Sequence, residues 1–75
     1  MKTTKENVLS QLMYAWDEEQ NNDGEYVPVK GQQLMSEEQA KALIEKHNDI
    51  FEQGQLMGSF AYYTANQILN AERLQ

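Results

Sequence analysis

The chain has no cysteine, and it contains only one proline and one histidine among its 75 residues. Without cysteine, neither a disulfide nor a thiolate zinc site can stabilise the fold, and the absence fits a cytoplasmic location better than secretion. Long apolar runs are missing too, so we expect no signal peptide and no membrane span. The length predicts a single domain over residues 1–75 whose stability comes from one well-patterned core.

Basic residues are also scarce. Six Lys and Arg face twelve Asp and Glu, which gives a formal net charge of −6. This deficit argues against direct binding of nucleic acid, because such binding requires Lys and Arg to neutralise phosphates. The charge fits a protein partner with a basic surface, and it is equally typical of a small domain that simply needs to remain in solution.

Helical periodicity predicts a first helix over about residues 4–20. Thr3 and Glu6 have the spacing of a capping box at its start. One apolar stripe follows at helical spacing. It consists of Val8, Leu9, Leu12, Met13 and Trp16.

A turn-rich insert over residues 21–35 should follow the first helix. Residues 21–24 read Asn-Asn-Asp-Gly, which is strong turn chemistry. Residues 26–29 favour extended structure, and a turn at Lys30 and Gly31 would place residues 32–35 beside them as a small hairpin.

Two further helices are predicted over about 37–53 and 59–73. Ser36 and Gln39 form a capping box before the first of these, and Gly54 suits its C-terminal end. The resulting fold class is mainly α: a small three-helix domain with a short extended or β-hairpin insert between helices 1 and 2. Phe60 and Tyr63 are expected in the core.

An acidic run forms the first candidate site. Three of its carboxylates would lie near the C-terminal end of helix one, where the helix dipole disfavours negative charge, and a broken local rule hints at a functional surface. A solvated helix end is the alternative. Tyr14 would neighbour Glu18 on the same side of the helix, a pairing typical of a binding hot spot. The run consists of Asp17, Glu18, Glu19, Asp23 and Glu25.

Part of this run resembles the start of a calcium loop, with oxygen ligands at Glu19, Asn21 and Asp23 followed by Gly24. Position twelve of such a loop requires a bidentate Glu but is Lys30 here. We therefore predict no metal site, and no cofactor motif is present.

A carboxylate stripe on helix two forms the second candidate site. Glu45 and Asp49 would be one turn apart, about 6 Å along the helix axis, with Glu52 continuing the stripe. Such a surface could imitate nucleic acid toward a protein that binds it. The alternative is the ordinary solvated face of an amphipathic helix.

His47 lies within the apolar stripe of helix two, which consists of Ala40, Leu43, Ile44, His47, Ile50 and Phe51. No nucleophile–base set is recognisable around it, so we predict a non-enzymatic protein and a buried or half-buried histidine with one hydrogen bond.

Together these features predict a small acidic binding or inhibitor protein that acts on a basic protein surface. Regulators of this kind occur in phages and mobile elements, where they block nucleic-acid-binding proteins. A self-associating, homodimeric helical protein is the alternative. The predicted contact residues are Tyr14, Asp17, Glu18, Glu19, Asp23, Glu25, Glu45, Asp49 and Glu52.

Overall fold

The computed structural model describes residues 1–74. Within this range, four helices and one two-stranded antiparallel sheet form a mixed α/β architecture. The predicted fold class of a mainly α, three-helix domain is therefore wrong in its number of helices. None of these helices is both long and apolar enough to cross a membrane. The elements in chain order are α1 Lys5–Met13, β1 Tyr14–Gln20, β2 Tyr26–Gln33, α2 Glu37–Lys46, α3 Asn48–Met57 and α4 Ala61–Arg73.

The core lies where α1 and α3 pack against α4 and α2 packs against α1. Most of its side chains fall at the predicted helical spacing, because burying one stripe per helix is what stabilises a small helical body. Two alanines of α4 let the neighbouring helix backbones approach closely. The buried apolar residues are Val8, Leu12, Ala40, Ile44, Phe51, Ala61, Ala65 and Ile68.

The N-cap of the first helix lies one residue later in the chain than predicted. Thr4, not Thr3, accepts the Asn7 N–H with its side-chain oxygen, at 3.2 Å. Thr3 is buried instead, and its hydroxyl donates to the Ser59 carbonyl at 2.9 Å. Because that bond uses the only Thr3 hydroxyl proton, the Thr64 hydroxyl donates to Thr3 across 2.8 Å. The predicted capping box between Thr3 and Glu6 is therefore wrong.

The predicted helix over 4–20 is too long, because α1 ends at Met13 and Tyr14 is already extended, with φ −126° and ψ 148°. Six of the next seven residues pair with β2 instead, with a register shift between Tyr14 and Trp16. Trp16, the last residue of the predicted apolar stripe, is only half-buried and turns its indole back to the Ser10 carbonyl at 3.0 Å. Since Asp17, Glu18 and Glu19 lie on a strand, they do not oppose a helix dipole and break no local rule.

The hairpin is longer than predicted and has a different turn. Asn21–Gly24 does form the turn, in which Gly24 has φ 82°. Gln20 pairs with Tyr26, and the ladder continues to Tyr14 and Gln33. The predicted turn at Lys30 and Gly31 is wrong, because both lie within β2.

The predicted helix over 37–53 is divided. The Ser36 capping box is confirmed, but α2 ends at Lys46 and α3 starts at Asn48, with His47 at φ −113° and ψ 41° between them. Gly54 is a buried residue inside α3 rather than its end. Gly58, with φ 65°, ends that helix instead.

The hairpin projects from the helical body. Beyond their contacts with each other, the strands mainly contact α1, which precedes them in the chain. The molecule measures 41 × 26 × 21 Å. Its radius of gyration is 13.1 Å, whereas a compact domain of this length has about 11 Å.

Candidate functional site

Most of the negative charge of the chain lies on the projecting hairpin. We call residues 14–33 the acidic hairpin. This segment contains five acidic residues and one basic residue, so it carries −4 of the net charge of −6. All five carboxylates are exposed. The sequence prediction identified these carboxylates as a group but placed three of them on a helix.

The register distributes the strand carboxylates over both faces of the hairpin. Directly paired residues share a face, so Asp17 lies beside Val29 and Glu19 beside Val27. Glu18 lies on the other face, opposite Pro28. Asp17 and Glu19 are about 7 Å apart along the strand. One face therefore combines two carboxylates on β1 with two valines on β2.

The middle of the hairpin is protected against pairing with a further strand. The Asn21 N–H donates to the Glu25 carbonyl at 2.8 Å. Along an antiparallel ladder, hydrogen-bonded pairs alternate with pairs that are not hydrogen-bonded to each other. Counted from Asn21 and Glu25, the pair of Glu18 and Pro28 is of the second kind, so both backbone nitrogens point outward. Pro28 has no N–H, and the Glu18 N–H donates to Asp17 Oδ1 at 2.8 Å. Both edges thus lack an available donor at this point, which favours recognition by side chains over strand addition.

Tyr14 and Lys30 meet at the base of the acidic hairpin. The Lys30 ammonium lies 4.3 Å from the centroid of the half-buried Tyr14 ring. The predicted neighbourhood of Tyr14 and Glu18 is wrong, because four residues along a strand span about 13 Å. Lys30 was missed as a site residue, although counting pairs outward from the turn at 21–24 would have placed it beside β1.

The acidic hairpin is not neutralised by basic side chains of the described residues. Lys41 pairs with Glu37 at 3.9 Å, and Lys46 pairs with Glu72 at 3.1 Å. Within residues 1–74, no Lys, Arg or His nitrogen lies within 4.0 Å of the five hairpin carboxylates. Their charge is therefore presented to the solvent.

The turn uses its own oxygen ligands internally. Asn21 Oδ1, one of the atoms that resembled a calcium ligand, accepts the N–H groups of Asp23 at 2.9 Å and Glu25 at 3.0 Å. Glu19 precedes this turn on β1, and Lys30 follows it on β2. These residues therefore form a hairpin and not the helix-flanked loop of an EF-hand calcium site.

The second predicted site is a separate surface. Glu45 is exposed on α2, and Asp49 and Glu52 are exposed on α3. Because His47 divides the two helices, Glu45 and Asp49 do not lie one turn apart on a single helix as predicted. Glu52 Oε1 accepts a hydrogen bond from the Asn48 amide at 2.9 Å. The structure does not bring this stripe together with the acidic hairpin, whose main contact in the helical body is α1.

His47 joins the junction of α2 and α3 to the end of α4. Its side chain is 7% exposed, and its Nε2 lies 2.8 Å from Glu72 Oε2. The hydrogen bond to His47, and then that from Lys46, lower the pKa of Glu72. The predicted buried histidine with one hydrogen bond is confirmed. Its partner was not predictable, because 25 residues separate Glu72 from His47.

The chain matches no family model, no curated protein and no solved structure. Its candidate site therefore rests on the geometry and charge described above.

Proposed function

We propose that this chain is a non-enzymatic binding or inhibitor protein that docks the acidic hairpin onto a basic surface of another protein. One observation carries the proposal: five exposed carboxylates stand on a projecting element, without ion pairs to the described basic side chains. Charge placed this way attracts a cationic surface over several ångströms and accelerates association with it.

A nucleic-acid-binding protein is the partner class that fits best. Such proteins gather Lys and Arg on one face or along one groove. A narrow two-stranded ribbon with carboxylates on both faces can enter such a groove and occupy the sites of the phosphates. A phage or mobile-element regulator that blocks a nucleic-acid-binding protein is therefore the sharper form of the proposal.

Capture from a cell extract tests the proposal. We expect the immobilised chain to retain a basic protein that added salt releases, because exposed charges at the contact are screened. The variant D17N/E18Q/E19Q should lose this protein. The amide introduced at position 17 keeps a side-chain oxygen that can accept the N–H of residue 18, so the strand itself is preserved.

The matched control is E45Q/D49N/E52Q, which removes the same number of charges from the outer face of α2 and α3. It should retain the captured protein. Equal losses in both variants would mean that net charge alone determines binding. A loss confined to the control would move the site to the helices, and either result contradicts the role of the acidic hairpin.

A further inference from the structure

Residues 53–71 contain no Asp, Glu, Lys, Arg or His, although 24% of the chain is charged. This uncharged stretch covers the end of α3, the connection after it and most of α4. It also carries three of the six Tyr and Phe residues of the chain. Charge depletion combined with aromatic enrichment is the composition of the centre of protein interfaces.

The apolar residues of this stretch are exposed at one end of the molecule. We call Leu56, Met57, Phe60, Tyr62 and Tyr63 the aromatic end. Each of the three aromatic residues is 58% exposed, and Leu56 and Met57 are 85% and 70% exposed. The prediction that Phe60 and Tyr63 lie in the core is thus wrong. The rings pack on one another instead, with centroids 6.2 Å apart for Phe60 and Tyr63 and 5.6 Å apart for the two tyrosines.

The exposed area approaches the size that a dimer contact requires. From the area of a typical aromatic side chain, the three aromatic residues alone expose roughly 350 Å², and Leu56 and Met57 enlarge the patch. A standard interface covers about 800 Å² on each partner.

We infer that the aromatic end is the contact surface of a symmetric homodimer. Two copies that each carry −6 repel each other. The uncharged stretch can face its own copy without opposing like charges, and an isologous contact uses the same patch on both subunits. A small domain with a limited core gains stability from such a contact.

The position of the acidic hairpin supports a second copy as the occupant. The bond from Thr3 to Ser59 places the aromatic end beside the start of α1. The acidic hairpin leaves from the other end of α1. In a dimer joined at the aromatic ends, α1 therefore stands between the contact and the base of each acidic hairpin, so neither hairpin has to enter the contact. Such a dimer presents two hairpins to a partner.

Sedimentation equilibrium of the full chain tests this inference over micromolar to millimolar concentrations. The wild type should rise from a monomer of 8.7 kDa to twice that mass and no further. In F60D, each copy would have to bury a carboxylate in the apolar contact, so the dimer dissociation constant should rise at least tenfold. Phe60 is the N-cap of α4 and makes no capping bond, and Asp is a favoured N-cap, so the monomer should unfold at the same or a higher temperature.

The matched control is L34D, which makes the same change of charge at an exposed leucine outside the aromatic end and should dimerise like the wild type. Higher salt should leave the dimer unchanged or strengthen it, because the five residues of the aromatic end are uncharged and salt screens the net repulsion between the two copies. A wild type that stays monomeric to millimolar concentration, a mass that grows beyond a dimer, or equal dimerisation of F60D would overturn the inference. None of these outcomes depends on the partner of the acidic hairpin.

Discussion

At the scale of single residues, Gly54 lies where α3 packs against α4 and the start of the chain. A Cβ at this position would collide with Thr64 Oγ1 and crowd Thr3 at 3.3 Å. We expect G54A to lower the free energy of unfolding by about 1–2 kcal/mol, since overpacking outweighs the helix propensity that alanine gains. Urea denaturation measures the difference.

The neighbouring residue provides the control for this substitution. Gln53 is exposed in the same helix, so Q53A should change the free energy of unfolding by less than about 0.5 kcal/mol. If G54A were as stable as Q53A, the result would contradict the close packing of Gly54 against Thr64 of α4.

Glu72 provides a prediction about pH. Its pKa lies below the ordinary value of 4.5, first because of the His47 hydrogen bond and then because of Lys46. A carboxyl whose pKa is lowered by folding stabilises the folded state above its ordinary pKa. That stabilisation is lost as the pH falls through the lowered pKa. E72Q should therefore be less stable than the wild type at pH 7, and the difference should shrink on acidification below about 4.5.

Urea denaturation of both proteins between neutral pH and about pH 3 checks this prediction. E45Q is the control, because Glu45 is an exposed carboxylate for which the described residues show no ion pair. A stability difference between wild type and E72Q that stays constant across this range would contradict the assigned contact with His47.

At the scale of elements, the acidic hairpin should be the least stable part of the fold. A two-stranded ribbon without a packed face is marginal. The Trp16 hydrogen bond to Ser10 ties the base of the hairpin to α1, whereas the Lys30 contact with Tyr14 joins the two strands to each other. In W16F, which loses one hydrogen bond of about 1 kcal/mol, amide hydrogen exchange in the hairpin should accelerate roughly threefold to tenfold.

Exchange in α1 and α4 provides the internal reference, because it reports global opening. Their amides should slow or accelerate only as much as the global stability changes. If hairpin and helix amides accelerated by the same factor in W16F, the hairpin would unfold together with the core and would not be an independent element.

The elements differ in how far the sequence determines them. The stripe around Ile44 and the Ser36 cap depend on residues three and four apart, and both were predicted correctly. The apolar pattern predicts a first helix that continues past Met13, because Trp16 falls at the helical spacing of the apolar stripe. What ends that helix is pairing with Tyr26–Val29, a contact between segments about ten residues apart that local patterns do not contain.

The candidate site was likewise predicted in its residues but not in its shape. The hairpin carboxylates were recognised by their density along the chain. Their arrangement depends on the register, which follows from the turn at 21–24 once the strand is known. The partner of His47 and the exposure of Phe60 depend on packing over long sequence distances, so single-sequence patterns did not reveal them.

At the scale of the whole molecule, the two ends have opposite character. The acidic hairpin carries most of the net charge, whereas the aromatic end carries none. Binding at the hairpin should weaken with salt, and self-association at the aromatic end should not. Opposite salt responses of these two equilibria, measured on the same preparation, are therefore expected.

The most direct test of the central claim is the affinity of the captured partner for the two charge-matched variants, measured by titration calorimetry at one salt concentration. We predict that D17N/E18Q/E19Q binds at least tenfold more weakly than the wild type, while E45Q/D49N/E52Q stays within about twofold. Equal affinities of the two variants would contradict the claim that the partner recognises the acidic hairpin.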